Sequence, residues 1–180
     1  MEYTLLINHQ DIINFSQIDG SIDFEKLKPS ILNAQILYIQ NNLLGGNLYN
    51  KIINLVNDDN LSEFPYYQTL LYDYITPSLV IHTLELFEPL NSSILGDNGT
   101  FQYNLTNAAA AARSEIDRKV KIYQMEASNF DDMLIKYIKK NITEFPEYNE
   151  DDGVVQKTTV QYPKIGWNLS TKNSINKIRY

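Results

Sequence analysis

Apolar residues recur at helical spacing through the segment from Phe24 to Leu43. Their intervals alternate between three and four positions, and apolar residues on adjacent positions widen the stripe. This pattern predicts a broadly buried helix. Pro29 stands near its start, where a missing amide hydrogen is tolerated. Gly45 and Gly46 are expected to end the helix as a left-handed C-cap does.

Two further helical segments follow. Asn47–Asn57 carries apolar residues at helical spacing and is closed by a run of Asn and Asp residues. The segment Tyr66–Phe87 is strongly hydrophobic, again with helical spacing. Pro77 interrupts it, and we expect this proline to kink or split the helix. Thr76 is then the expected cap of the second half.

The longest predicted element begins at Asn107, a good N-cap, and continues to Lys140 without Pro or Gly. The pattern predicts one helix of about 33 residues. Before it, Gly99–Tyr103 alternates enough for one short strand or hairpin arm. The apolar residues between Leu5 and Phe15 are compatible with a strand, a turn or a docking segment, and they stay unassigned.

Together these patterns predict a mainly α fold: a helical bundle with one long helix, a short β-hairpin or strand segment, and an extended C-terminal arm. We divide the chain into a helical domain at 1–152 and the arm at 153–180. The boundary follows an acidic cluster that ends at Asp152, and after Gly153 the chain has no acidic residue.

Charge is distributed unevenly along the chain, whose net charge is -7. Residues 1–100 hold 3 Lys/Arg and 12 Asp/Glu, whereas residues 101–180 hold 12 and 10. The net negative charge of the chain therefore comes from its first half, and the second half is slightly basic. In a homo-oligomer, a basic segment of one copy would complement the acidic half of the next.

The arm carries five basic residues interleaved with apolar and aromatic ones. Such a segment has three possible roles: it docks on a neighbouring subunit, it is a disordered tail, or it contacts nucleic acid. Its apolar content favours docking over disorder. The predicted interface residues are Lys157, Tyr162, Lys164, Trp167, Lys172, Lys177, Arg179 and Tyr180.

Few residues are typical of catalysis or metal binding. Cys is absent, and His9 and His82 are far apart in sequence, which argues against thiolate and imidazole-rich metal sites. The chain has no phosphate-binding glycine loop, dinucleotide turn, nucleophile elbow or zinc-protease pair. We predict no enzyme activity, catalytic residue, metal or cofactor, and we interpret His82 as a packed side chain.

Three adjacent acidic pairs, at 58–59, 131–132 and 151–152, are the remaining chemical candidates. Carboxylates bind divalent cations and transfer protons. None of the pairs stands in a calcium-loop pattern, however, and neighbours on a helix do not share a face. We interpret each pair as solvated surface.

One short sequence occurs twice. Glu63-Phe64-Pro65 and Glu144-Phe145-Pro146 each stand beside a helical segment. Two copies do not make a solenoid repeat. We interpret both as helix boundaries, where an aromatic side chain packs and a proline starts or stops the helix, rather than as a binding motif.

Nothing in the sequence predicts a membrane partner. The start has no basic region followed by a long apolar run, and nowhere in the chain do 18 apolar residues run consecutively. We expect a protein that is soluble and intracellular where it is made. Its 13 Tyr exceed what one core of this size needs, and Tyr is favoured at protein interfaces, so a homo-oligomer is expected.

Two runs resemble a known family. Phe24–Gln35, with the sequence FEKLKPSILNAQ, and Leu43–Tyr49, with LLGGNLY, look like the opening of small structural proteins of crAss-like and related tailed phages. The long helix, the second Phe-Pro segment and Gly166-Trp167 extend the likeness over most of the chain. Such proteins are similar to the head-tail connector (adaptor) family of neck ring proteins.

The resemblance implies a virion protein of the phage neck, assembled in the host cytoplasm as a ring of about twelve copies. The ring would bind the portal above and other neck or tail proteins below. Double-stranded DNA would pass through it during genome ejection without specific binding. Another neck or tail ring protein, such as a tail terminator, is the alternative, and a small phage nuclease or cell-wall hydrolase is a further one.

Overall fold

The computed structural model describes residues 3–16, 22–91, 93–96, 99–102 and 113–149. These residues are mainly helical, as predicted, and no helix among them is long and apolar enough to cross a membrane. The predicted arm at 153–180 lies outside them. In chain order the helices are α1 (His9–Phe15), α2 (Phe24–Ala34), α3 (Gly45–Asn57), α4 (Pro65–Thr69), α5 (Thr76–Asn91) and α6 (Arg113–Lys140).

Helix α1 forms in the segment left unassigned from sequence, and a capping box starts it. The side chain of Asn8 accepts hydrogen bonds from the amides of Gln10 and Asp11, at 2.7 and 3.2 Å. The Asp11 carboxylate accepts one from the Asn8 amide at 2.8 Å. These bonds satisfy donors that a helix start otherwise leaves unpaired. Ile12 is fully buried and holds α1 against the core.

Gln35 fixes the segment that precedes α1. Its buried side chain accepts a hydrogen bond from the Leu6 amide at 2.9 Å. It donates to the Thr4 carbonyl at 2.9 Å and to the Tyr49 hydroxyl at 2.7 Å. A buried amide needs such partners to offset its lost hydration. Through them Gln35 joins the N-terminal segment to α3.

The helix predicted from Phe24 to Leu43 is present, as α2 continued by a π-helical stretch, Gln35–Leu44. Asp23 caps it and accepts a hydrogen bond from the Glu25 amide at 3.0 Å. Gly45 follows with a φ of 74°, which glycine adopts without steric cost. The chain turns there into α3, so the predicted glycine break is confirmed.

The hydrophobic segment 66–87 forms one uninterrupted helical run, because α4, a π-helical stretch at Leu70–Ile75 and α5 follow each other directly. Pro77 does not split this run, so the split that the sequence led us to consider is wrong. The wider π spacing ends just before Thr76 and accommodates a residue without an amide hydrogen. Thr76 keeps helical torsions, and its hydroxyl donates to the Leu71 carbonyl at 2.9 Å instead of capping a new helix.

Two short strands and the long helix complete the described chain. Strands β1 (Ser93–Gly96) and β2 (Gly99–Gln102) pair antiparallel, with Ser93 opposite Gln102. They lie in the region where one short strand or hairpin arm was expected. Helix α6 covers most of the predicted long helix, whose expected start at Asn107 lies outside the described residues.

Helix α5 is the central element of the bundle. Every residue from Thr76 to Leu84 is buried, and α5 packs chiefly against α6 and α2. The same apolar core includes residues of all the described helices and continues beyond α6 to Phe145. Because the part of α5 from Thr76 to Leu84 is enclosed on all sides, its polar residues are buried with it and require internal partners.

Candidate functional site

His82 on α5 is held between two carboxylates. It is only 4% exposed and stacks on Tyr38, with the ring centroids 3.9 Å apart. Its Nδ1 lies 3.2 Å from Glu85 Oε2 on the same helix. Its Nε2 lies 3.2 Å from both carboxylate oxygens of Asp131 on α6. The imidazole therefore links the two main helices of the bundle.

Two neutral side chains complete this arrangement. The Ser78 hydroxyl donates to Asp131 Oδ1 at 2.8 Å, and Gln124 Nε2 donates to Glu85 Oε1 at 3.0 Å. Each carboxylate thus has a neutral donor as well as the imidazole, as a buried polar network requires. We call these residues the His82 cluster: Tyr38, Ser78, His82, Glu85, Gln124 and Asp131.

The residues of the His82 cluster shift one another's pKa values. Burial lowers the pKa of His82, but the hydrogen bonds to Asp131 and Glu85 outweigh it, and the pKa lies above its ordinary value. Burial raises the pKa of Glu85, and the bond to His82 outweighs this and lowers it. Burial and then the charge of Glu85 raise the pKa of Tyr38. The geometry favours an imidazolium between two carboxylates.

The cluster differs from the Ser-His-Asp arrangement of a hydrolase. Both ring nitrogens of His82 contact carboxylates, whereas the Ser78 hydroxyl bonds to Asp131. In a hydrolase triad the imidazole would receive the serine proton. The prediction that His82 is a packed side chain is confirmed. Its neighbour Glu85 was detectable at helical spacing, but Asp131, 49 positions away, was not.

The acidic pairs lie in different environments. Asp58 and Asp59 are exposed in the turn that ends α3, as predicted. The solvated-surface prediction is wrong for Asp131, whose side chain is 13% exposed. Its neighbour Asp132 is exposed because adjacent helical residues point to different sides. Residues 151–152 lie outside the described part, within which no group of three or more His, Asp or Glu is placed to hold a metal ion.

The two Glu-Phe-Pro segments have the same local structure. Each contains a single 3₁₀ turn, at Leu61–Glu63 and Ile142–Glu144, followed by a Phe with φ of -121°. In both, the amide of the Glu donates to the carbonyl of the Asn three positions earlier, at 3.0 and 2.9 Å. Pro65 is the first residue of α4, and the second segment follows α6. The prediction that both are helix boundaries is confirmed.

These segments also contact each other in space. The Tyr67 ring meets Phe145 edge to face, with centroids 5.1 Å apart. The Tyr67 hydroxyl donates to Glu147 at 2.5 Å, and burial followed by this bond raises the pKa of Tyr67. Phe145 is fully buried, whereas Phe64 stays 37% exposed. The repeat was visible in the sequence, but the contact between its copies was not.

A groove of about 540 Å³ lies between the two segments, and we call it the Phe-Pro groove. The exposed rings of Phe64 and Tyr66 line it together with both prolines. The ammonium of Lys51 lies 5.2 Å from the centroid of the Phe64 ring, within the range of a cation–π interaction. The charged residues of the lining are Lys51, Glu63, Glu144 and Glu147.

A larger groove of about 780 Å³ lies between the end of α1, α5 and α6. Lys119 donates to Glu88 at 2.8 Å within its lining, and this bond raises the pKa of Lys119. The ion pair links α5 to α6 near the surface. Exposed pairs of this kind contribute little to stability.

Helix α6 has apolar residues on two faces. Ala127 and Leu134 are buried on its core face. Ile122, Met125 and Met133 are 38%, 62% and 49% exposed, and their spacing of three and eight residues places them in one sector of the helix, away from Ala127 and Leu134. Ile122 also borders the larger groove. We call these three residues the α6 stripe. Exposed methionine is common on surfaces that bind other proteins.

The predicted interface residues all lie outside the described part of the chain, between Lys157 and Tyr180. The structure therefore brings together a different set of candidates: the His82 cluster, the Phe-Pro groove and the α6 stripe. Sequence reasoning missed the stripe because it did not consider Ile122, Met125 and Met133 among the apolar positions of the long helix. Its signal was the helical spacing of Ile122 and Met125.

Comparison with known proteins identifies a family. The family model of DUF6712, a family of unknown function, matches residues 40–158, and the chain belongs to this family. No curated protein matches the chain, and no solved structure does. The matched range contains α3 to α6 and both Glu-Phe-Pro segments.

Proposed function

We propose that this member of the DUF6712 family is a head-tail connector, a structural virion protein that forms a ring between the portal and the tail or neck of a tailed phage. Double-stranded DNA passes through the channel of the ring. The proposal is supported by the likeness to connector proteins, by the mainly helical subunit and by the α6 stripe. The α6 stripe is the main observation behind the proposal, because apolar side chains exposed on one side of a helix favour binding to another protein chain.

The residues that carry the likeness have structural roles in the subunit. In Phe24–Gln35, Leu27 and Ile31 are fully buried, and Gln35 anchors the N-terminal segment. In Leu43–Tyr49, Gly45 provides the turn between two helical stretches.

In this proposal the α6 stripe is one side of the contact between subunits. Apolar surface left in water costs about 25 cal/mol per Å², so covering Met125 and Met133 with a second copy stabilises the assembly. A closed ring requires a heterologous interface, in which two different patches meet. The occupant of the stripe is therefore a different face of the adjacent copy.

The charge of the chain is compatible with a channel for DNA. The net charge is -7 per copy, and most of the excess acid lies in residues 1–100. Acidic walls repel the phosphate backbone and disfavour specific binding, so DNA can slide. The connector is expected to have no sequence preference for DNA.

The alternatives differ in what they require. A tail terminator or another neck ring would use the same stripe, and its position in the virion separates it from a connector. A phage nuclease or hydrolase requires acids or histidines that converge in an open pocket. His82 and Asp131 do converge, but their side chains are only 6% and 13% exposed.

Light scattering on the full chain, alone and mixed with the portal protein of the same virion, tests the proposal. We expect a homo-oligomer of about twelve copies, alone or on the portal. A chain that stays monomeric with portal present contradicts it.

A further inference from the structure

The Phe-Pro groove combines the features of a peptide-binding surface. Phe64 and Tyr66 are 37% and 45% exposed in its lining. Concave, aromatic surfaces with a polar rim are typical of sites that bind other chains. Proline-containing and aromatic segments dock in such grooves with little loss of conformational entropy.

Charge restricts the occupant further. The lining has three carboxylates and one ammonium, and that ammonium already lies over the Phe64 ring. Glu147 accepts the hydrogen bond of Tyr67. Glu63 and Glu144 are exposed on either side, one in each Glu-Phe-Pro segment. A segment that places a cation between aromatic side chains complements this lining.

The basic arm contains such a segment. Residues 162–167 have the sequence Tyr-Pro-Lys-Ile-Gly-Trp, and they lie in the basic arm. We propose that the Phe-Pro groove binds residues 162–167 of an adjacent copy of this chain, with Lys164 between Glu63 and Glu144. The proposal rests on the proposed ring and names the partner of one of its interfaces.

Length and charge both favour the groove of another copy. The 13 residues from 150 to 162 span up to about 45 Å when extended, which is enough to reach a neighbouring subunit. Glu150, Asp151 and Asp152 begin three positions after Glu147, the last residue of the groove lining. Placing these three acids beside the carboxylates of their own groove is unfavourable, whereas a neighbouring groove receives only the basic part of the arm.

Cross-linking of the full chain tests this directly. Tyr162→p-benzoylphenylalanine introduces a photoreactive group, and unlabelled copies are assembled with isotopically heavy copies. We expect cross-links that join a light arm to a heavy groove, or the reverse, at residues 61–67 and 142–147. Mass spectrometry of the cross-linked peptides identifies both partners.

Charge reversal provides the matched control. Glu63→Lys with Glu144→Lys should lower the cross-link yield about tenfold or more, because like charges then meet, and adding Lys164→Glu should restore it. Glu25→Lys with Asp117→Lys makes the same change of charge at two exposed positions outside the groove and the α6 stripe, and it should leave the yield unchanged.

Two results overturn the proposal: cross-links confined to single copies, or cross-links outside the groove. Native mass spectrometry of the same samples reports the ring separately. If the ring is intact but either of these cross-linking results is obtained, the proposed arm contact is wrong and the connector proposal is unaffected. A monomer contradicts both.

Discussion

Nε2 of His82 lies 3.2 Å from both carboxylate oxygens of Asp131, and this contact joins α5 to α6 across 49 positions of sequence. Buried charges are retained only when they are paired and hydrogen-bonded. The packing of the two main helices is therefore linked to the protonation of one imidazole.

Stability should depend on pH through His82. Its pKa is raised in the folded state above the ordinary 6.5, so its contribution is fully present below 6.5 and is lost as pH rises through the folded pKa. The lowered pKa of Glu85 acts in the opposite direction, and its contribution is lost in acid. We expect the free energy of unfolding in urea to be greatest at about pH 5 to 6.5 and to decrease toward pH 9.

The two histidines of the chain provide a matched pair for this test. His82→Gln should destabilise the protein at pH 6 and remove most of the decrease between pH 6 and 9. His9→Gln should retain that decrease, because His9 is not part of the His82 cluster. Equal pH profiles for wild type and His82→Gln would show that the cluster is not responsible.

The contact between the two Glu-Phe-Pro segments predicts a specific loss of stability. Tyr67→Phe removes the hydroxyl that bonds to Glu147 and should lower the free energy of unfolding by about 1 kcal/mol. Tyr72→Phe removes a hydroxyl from a side chain that is 53% exposed, and its effect should stay within about 0.5 kcal/mol. The urea midpoints of the two variants measure the difference, and similar midpoints would argue against this hydrogen bond.

Gln35 should control the N-terminal segment. Gln35→Leu leaves the Leu6 amide and the Thr4 carbonyl without their partner, at a cost of about 1 to 3 kcal/mol. The Leu6 amide should then exchange its hydrogen faster. Asn33→Leu, at an exposed position of α2, is the control and should not change this exchange rate. Unchanged protection of Leu6 in Gln35→Leu would contradict the anchoring role.

The α6 stripe should be required for assembly and dispensable for folding. Met125→Asp combined with Met133→Asp places two charges in the proposed subunit contact and should convert the ring to a monomer. The far-ultraviolet circular dichroism spectrum should stay helical, since both side chains are exposed. Leu37→Asp, at a position that is 50% exposed outside the stripe, should leave the assembly intact. If the stripe variant assembles like wild type, the ring uses another face.

Local spacing was sufficient to predict the longer helices, whereas α1 was left unassigned. The stripe from Phe24, the glycine break at Gly45 and the extent of α6 depend on residues within about one helical turn. The capping box of α1 was within the same range, with Asn8 and Asp11 in place of the usual Ser or Thr and Glu. A split at Pro77 was considered because helical periodicity does not reveal a π-helical stretch.

The candidate sites depend on contacts that spacing cannot provide. Gln35 and Thr4, His82 and Asp131, and Tyr67 and Glu147 are 31, 49 and 80 positions apart. Such pairs form only once the helices have packed. The Phe-Pro groove is the clearest example, since both of its walls were recognised in the sequence as separate helix boundaries.

Electron microscopy of the full chain assembled with the portal protein of the same virion tests the connector proposal most directly. We predict a closed ring of about twelve copies coaxial with the portal, with a channel wide enough for duplex DNA and α6 at the contact between subunits. Single copies scattered on the portal, or an assembly without a continuous channel, would contradict the proposal.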